Sequence, residues 1–106
     1  MHMPTVHFPA LLSGTTLTHQ VRYSDLDHNR HVNNAKYVEW IFDLIDQELL
    51  EKSTPSSFYI EYKQEVKSGD EVILYKESAK NEQNTYFVEG MLSETQKTCV
   101  RAMIVF

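Results

Sequence analysis

A single stretch of this chain repeats its apolar residues at helical spacing. Val38, Ile41, Phe42, Ile45 and Leu49 fall at i, i+3, i+4, i+7 and i+11, with Glu39, Asp43, Asp46 and Gln47 mostly opposite. Tyr37, Trp40 and Leu44 widen the stripe, so the helix is expected to lie deep against another layer. Burying the five stripe residues would contribute about 1.5–3 kcal/mol each before entropy is subtracted. Asn33 or Asn34 supplies the N-cap, since a side-chain oxygen there accepts an orphan backbone N–H. Pro55 cannot continue a helix and biases Thr54 to an extended conformation, so the segment 52–55 ends it. One helix cannot bury that much apolar surface alone. It needs a sheet.

Period-two segments supply that sheet. A strand is expected over 15–24, where Leu17, Val21 and Tyr23 share one face and Thr16, Thr18, Gln20 and Arg22 the other. His19 interrupts the apolar face and reads as a hydrogen-bonded structural histidine. After the helix, 57–67 alternates Phe58, Ile60, Tyr62 and Val66 against Tyr59, Glu61, Lys63 and Glu65. Further strands are expected over 71–79, 85–92 and 98–106, separated by turns at 68–70, 81–84 and 93–97. The last is apolar on both faces except at Arg101, as a strand inside a sheet requires. The order is strand, long helix, then four antiparallel strands, an α+β arrangement. Exposed sheet edges are a liability, so pairing with a second copy or a second domain is expected.

With 106 residues the chain supports one domain. Residues 1–14, marked by Pro4, Pro9 and Gly14, read as an N-terminal arm and 15–106 as the domain proper. The formal net charge is −5 and basic residues never run beyond two, which argues against nucleic acid or an anionic membrane as partner. Arg22, Arg30, Lys36, Lys63 and Lys67 read as solvated surface. One cysteine, Cys99, forms no internal disulfide and suits a reducing, cytoplasmic compartment; it reads as an inert buried thiol. No apolar run approaches the ~20 residues of a membrane helix, and the N-terminus has no signal-peptide pattern.

Chemistry concentrates where the first strand meets the helix. From Asp25 through Lys36, 12 residues hold two carboxylates, two imidazoles and three side-chain amides. Such groups are costly to keep dry unless each finds a partner. Read alone, Asp27 and Asn29 suit a hydrogen-bonded loop capping the helix as well as they suit catalysis. Asp25 reads as a brace for the turn and His28 as a surface group. The run Asp-x-Asp-His-x-x-His fits no zinc-helix spacing and lacks the glycine of a calcium loop, so neither metal nor cofactor is expected.

The run Tyr23-Ser24-Asp25-Leu26-Asp27-His28-Asn29-Arg30-His31-Val32-Asn33-Asn34, followed by Tyr37 and Trp40, resembles the signature of the acyl-ACP thioesterases. More loosely it resembles the hotdog-fold thioesterases related to 4-hydroxybenzoyl-CoA thioesterase. The resemblance implies a hotdog: a five-stranded antiparallel sheet wrapped around one long central helix. It implies hydrolysis of fatty acyl thioesters, on acyl carrier protein or coenzyme A, to free fatty acid and carrier thiol, as in fatty acid biosynthesis. In that family two hotdogs lie in tandem, and this sequence resembles the C-terminal one. It would then be a stand-alone half or a homo-oligomer, dimer or tetramer, that builds its own partner.

Carried over by position, the family's catalytic residues fall on Asp27, Asn29, His31 and Glu65. Where the family often has a cysteine after that glutamate, this chain has Val66, so no thiol can act there. Asp27 is expected to activate water or attack directly, His31 to exchange protons with water or the leaving thiolate, Glu65 to orient His31 or share the base role, and Asn29 to donate an amide N–H. Val32, Asn33, Asn34 and Tyr37 are expected to hold the substrate, the first three through N–H groups at the helix start. Tyr37 and Trp40 read first as helix core. Glu65 shares a face with Glu61 and Lys63, so it reaches the site only through a bulge or if that polar face lines the cleft. An acyl-binding or assembly domain without turnover, and a hotdog dehydratase, are the competing readings.

Overall fold

The sheet is antiparallel throughout and does not follow chain order. In a computed structural model, which describes residues 15–78 and 84–106, the strands are β1 (Thr15–Gln20), β2 (Ser57–Tyr62), β3 (Glu71–Ser78), β4 (Thr85–Leu92) and β5 (Thr98–Val105). Their order across the sheet is β1-β3-β4-β5-β2. The arm expected at 1–14 lies outside the described residues, as does most of the turn expected at 81–84. β5 sits between β4 and β2, which explains its apolar sequence: Val100, Ala102 and Ile104 are buried inward. On its other face Arg101 Nε donates to Glu89 Oε2 across the β4–β5 pair at 3.0 Å.

The helical segment covers the inner face of this sheet. Tyr37, Trp40, Ile41, Leu44 and Ile45 join Val72, Leu74, Val88, Val100, Ala102 and Ile104 in one core. The buried stripe is therefore rotated from the one centred on Val38, which is only half-buried, toward the aromatic side. Close approach of the strands beneath is possible because position 90 is glycine. A Cβ there would lie 2.8 Å from Val100 Cγ1 and 3.2 Å from Leu74 Cδ2.

Three boundaries differ from those expected. The first strand ends at Gln20 rather than at 24, and Tyr23–Asp25 forms a 3-10 turn. The one long helix is two: α1 (Asn34–Asp43), capped by the Asn33 side chain, and α2 (Gln47–Lys52), capped by Asp46. Asp46 Oδ1 accepts from the Glu48 N–H at 3.0 Å, and this local bond competes with helix continuation. Finally, β2 ends at Tyr62, not at 67. The Lys63 and Gln64 N–H groups both donate to the Cys99 carbonyl, at 2.8 and 3.3 Å, which turns the chain off the ladder. That turn re-aims Glu65.

Candidate active site

Residues 26–32 form a tight hairpin between β1 and α1. Its mouth is closed by a Leu26–Val32 bridge and by the Asn33 N–H donating to the Asp25 carbonyl at 2.9 Å. Within it, Asp27 N–H donates to the His31 carbonyl at 2.8 Å and Arg30 N–H to the Asp27 carbonyl at 3.0 Å. The tight turn puts Arg30 at φ 66°, in the left-handed region. Asp27 Oδ1 accepts from the Asn29 N–H at 2.9 Å and the His31 N–H at 3.2 Å. Two amide dipoles thus fix this carboxylate while the hairpin holds His31 beside it.

The other wall comes from the turn after β2. His31 pairs with Lys67 in an isolated bridge, and Val32 N–H donates to the Val66 carbonyl at 3.4 Å. Glu65 Oε1 then lies 2.8 Å from His31 Nδ1, with the two side chains 53% and 48% exposed. A carboxylate facing Nδ1 holds the proton on that nitrogen and leaves Nε2 as the atom that accepts one. The resulting cleft has a volume of about 530 Å³ and is lined by Asp27, His31, Asn33, Asn34, Lys63 and Glu65, with Val32, Tyr37, Tyr62 and Gln64 completing it.

At the floor stands the start of α1. The Asn33 side chain accepts from the Ala35 N–H at 2.9 Å, and the Asn33 carbonyl accepts from Lys36 N–H. Asn34 N–H is at the first helical position, where helix geometry provides no acceptor within the helix and the dipole favours negative charge. Tyr37, 4% exposed, belongs to the core and also reaches the cleft, edge-on to Tyr62 at 5.4 Å. Burial, with Cys99 nearby, pushes its hydroxyl well above the ordinary range and keeps it neutral.

Of the residues expected in catalysis, Asp27, His31 and Glu65 are brought together. Asn29 is not: it is exposed and outside the cleft lining, and its main-chain N–H serves the turn at Asp27. Val32, Asn33, Asn34 and Tyr37 all line the cleft. Tyr62, Lys63 and Gln64 line it too and were missed from sequence. The polar pair Lys63-Gln64, breaking an otherwise apolar alternation, was their available signal. Cys99 is fully buried, donates to the Gly90 carbonyl at 3.4 Å, and has its thiol pushed up to about 12 by burial. A thiol so high stays protonated.

A sequence model of the acyl-ACP thioesterase C-terminal domain matches residues 11–106. The chain belongs to this family. The dodecanoyl-[acyl-carrier-protein] hydrolase of Cinnamomum camphora is 50% identical over 44 residues, 42% of this chain and 12% of that protein. An acyl-ACP thioesterase structure from Bacteroides thetaiotaomicron is 29% identical, with a TM-score of 0.73, and covers 95% of this chain and 42% of its own. The 12:0-ACP thioesterase of Umbellularia californica, at 22% identity, shares the fold with a TM-score of 0.78 over 99% of this chain and 39% of its own. This family member therefore spans less than half the length of these relatives. Its α+β sheet-on-helix architecture is the hotdog of the thioesterases. Among the described residues, no helix is long and apolar enough to cross a membrane.

Proposed function

We propose that this chain is the catalytic hotdog of a thioesterase that hydrolyses fatty acyl thioesters carried on acyl carrier protein or coenzyme A. The observation that carries the reading is the His31–Glu65 pair at 2.8 Å, facing the same cleft as the anchored Asp27. A water held between Asp27 and His31 Nε2 loses a proton to the imidazole as its oxygen attacks the thioester carbonyl. The developing oxyanion faces the Asn34 N–H at the start of α1. As the tetrahedral intermediate collapses, the C–S bond breaks and His31 returns the proton to the departing thiolate. Glu65 steadies the charge on His31 throughout, and Asn29 acts only through its N–H on Asp27.

A half-exposed cleft and two sheet edges, β1 and β2, support a further expectation: a second copy of this chain, as a homodimer or higher oligomer, covers the site. A reducing, cytoplasmic setting accords with the lone protonated Cys99.

The test is Asp27→Asn in the purified chain, assayed on medium- and long-chain acyl-ACP and acyl-CoA. The asparagine keeps an oxygen for both loop N–H groups, so the fold persists. Turnover falls on the order of 10²-fold or more if the carboxylate acts. Unchanged hydrolysis would remove Asp27 from the mechanism. Tight acyl binding without product from the unmodified chain would instead mark an acyl-binding domain.

A further inference from the structure

The hairpin that bears Asp27 and His31 has an anchor outside the cleft. Asp25, at its base, is 5% exposed although it carries a carboxylate. Asp25 Oδ2 accepts from the Arg22 N–H at 2.9 Å and faces His19 Nε2 on β1 at 2.9 Å. The His19 ring in turn lies on Trp40 of α1, with centroids 4.4 Å apart. Meanwhile the Asp25 carbonyl accepts from Asn33 N–H, the N-cap of α1. One residue thus ties the end of β1, the base of the hairpin and the start of the helix. Of the residues in this network, Asn33 lines the cleft, and His19, Arg22, Asp25 and Trp40 do not.

We infer that Asp25 and His19 form a positioning pair that fixes the Asp27–His31 hairpin, and with it the alignment of the reacting groups against the helix start. The inference rests on the reading of Asp27 and His31 as catalytic. Among the described residues the hairpin is also held by Val32 in the core, by Leu26 packed against it, and by its contact with the 65–67 segment, where the Val32–Val66 bond is long at 3.4 Å. That contact sets the distance from His31 to Glu65. Tyr23, which opens the Tyr23–Asp25 turn, is 89% exposed, so its side chain adds little to holding the turn in place. A buried carboxylate kept only for stability would be a poor choice, since apolar packing does that better. Misplacement of a reacting group by about 1 Å can lower turnover on the order of 10²-fold.

Three variants and two readouts test the pair. His19→Leu keeps apolar contact with Trp40 and removes the partner of Asp25. His19→Gln restores an N–H donor near the place of Nε2. Asp25→Asn removes the charge and keeps the oxygen, a second route should His19→Leu fail to fold. Amide hydrogen exchange reads the hairpin directly and needs no turnover. His19→Leu and Asp25→Asn are expected to lower protection at the Asn29, His31 and Asn33 amides by about tenfold while β4 and β5 amides hold, and His19→Gln to recover most of it. In acyl-thioester assays, kcat is expected to fall about tenfold in the first two variants with KM within twofold, and to return in the third.

Equal loss of protection across hairpin and sheet would mean a purely structural role and overturn the inference. Unaltered hairpin protection would overturn it too. If the unmodified chain hydrolyses no acyl thioester, the functional reading fails by itself, and hydrogen exchange still decides whether the pair fixes the hairpin.

Discussion

Replacing Glu65 by glutamine isolates what the carboxylate does for His31. The amide oxygen can still accept from Nδ1–H, so ring orientation survives and only the charge is lost. Both side chains are about half exposed, 48% for His31 and 53% for Glu65, so the pair stabilises the resting protein weakly, by about 0–1 kcal/mol. Thermal unfolding should therefore move by less than about 8 °C. The proposed reaction makes a different demand, because in it His31 becomes an imidazolium midway. Unit charges about 4 Å apart attract by ~1 kcal/mol in water and ~4 kcal/mol at an effective dielectric near 20. An acyl chain seated over the pair moves it between these limits. Turnover of Glu65→Gln is thus expected to fall roughly 10- to 10²-fold, since each 1.4 kcal/mol is about tenfold. Steady-state hydrolysis of an acyl-CoA with released thiol as the signal measures it, alongside a thermal melt. A kcat within twofold of the unmodified protein, with an unchanged melt, would refute the claim that Glu65 supports charge on His31.

Other consequences can be checked without the substrate's identity. Gly90→Ala places a Cβ 2.8 Å from Val100 Cγ1 in a strand pair with no room to yield, so it should destabilise by about 1–3 kcal/mol in urea titrations. The unmodified protein should resist thiol reagents, because the Cys99 thiol is buried and raised to about 12, and Cys99→Ala should keep full hydrolysis. Acid stability should carry the mark of Asp25. Burial alone would raise its carboxyl, but the Arg22 N–H, the His19 bond and nearby positive charge outweigh it and hold it below the ordinary 3.8. A depressed carboxyl contributes stability that is complete above its unfolded value and is lost as pH falls through the folded one. Urea midpoints measured from pH 5 downward should therefore drop in the parent and drop less in Asp25→Asn.

Where sequence reading succeeded, local pattern and tertiary demand agreed. Val100, Ala102 and Ile104 alternate with Arg101 because β5 is flanked on both sides, and the Asn33 cap starts α1 where its side chain alone could start it. Two boundaries escaped because a single side chain won a local contest. Asp46 captures the Glu48 N–H and splits a stripe whose apolar periodicity runs on to Leu49. Asp25 captures the Arg22 N–H and ends β1 early, though Tyr23 continues the alternation. For Glu65 the sequence left open whether a bulge or the polar face would bring it to the site, for another reason. Its aim depends on two consecutive N–H groups sharing the Cys99 carbonyl, a contact between segments more than 30 positions apart that no sequence window contains. The motif Asp27-x-Asn29-x-His31 pointed to residues of which Asp27 and His31 line the cleft, while Asn29 bonds Asp27 through its main-chain N–H, which spacing alone does not reveal.

The exposure of the pair bears on how such a site can be efficient at all. Asp27 is fixed by two amides and His31 by a carboxylate, so the groups are aligned before any ligand arrives. Alignment in water gives only part of the effect, because solvent weakens every charge interaction in an open cleft. Lys63, Gln64, Tyr37 and Tyr62 all line the cleft, the two tyrosine rings packed edge to face at 5.4 Å, so polar and aromatic groups both border it. On the proposed function, a long apolar chain laid along those rings would displace water from the His31–Glu65 pair as its carbonyl reached Asn34. The proposed substrate would then itself supply the low dielectric in which these three side chains would act most strongly. In this reading, acyl length acts on turnover as well as on affinity, because a chain too short to cover the rings leaves the imidazolium in water.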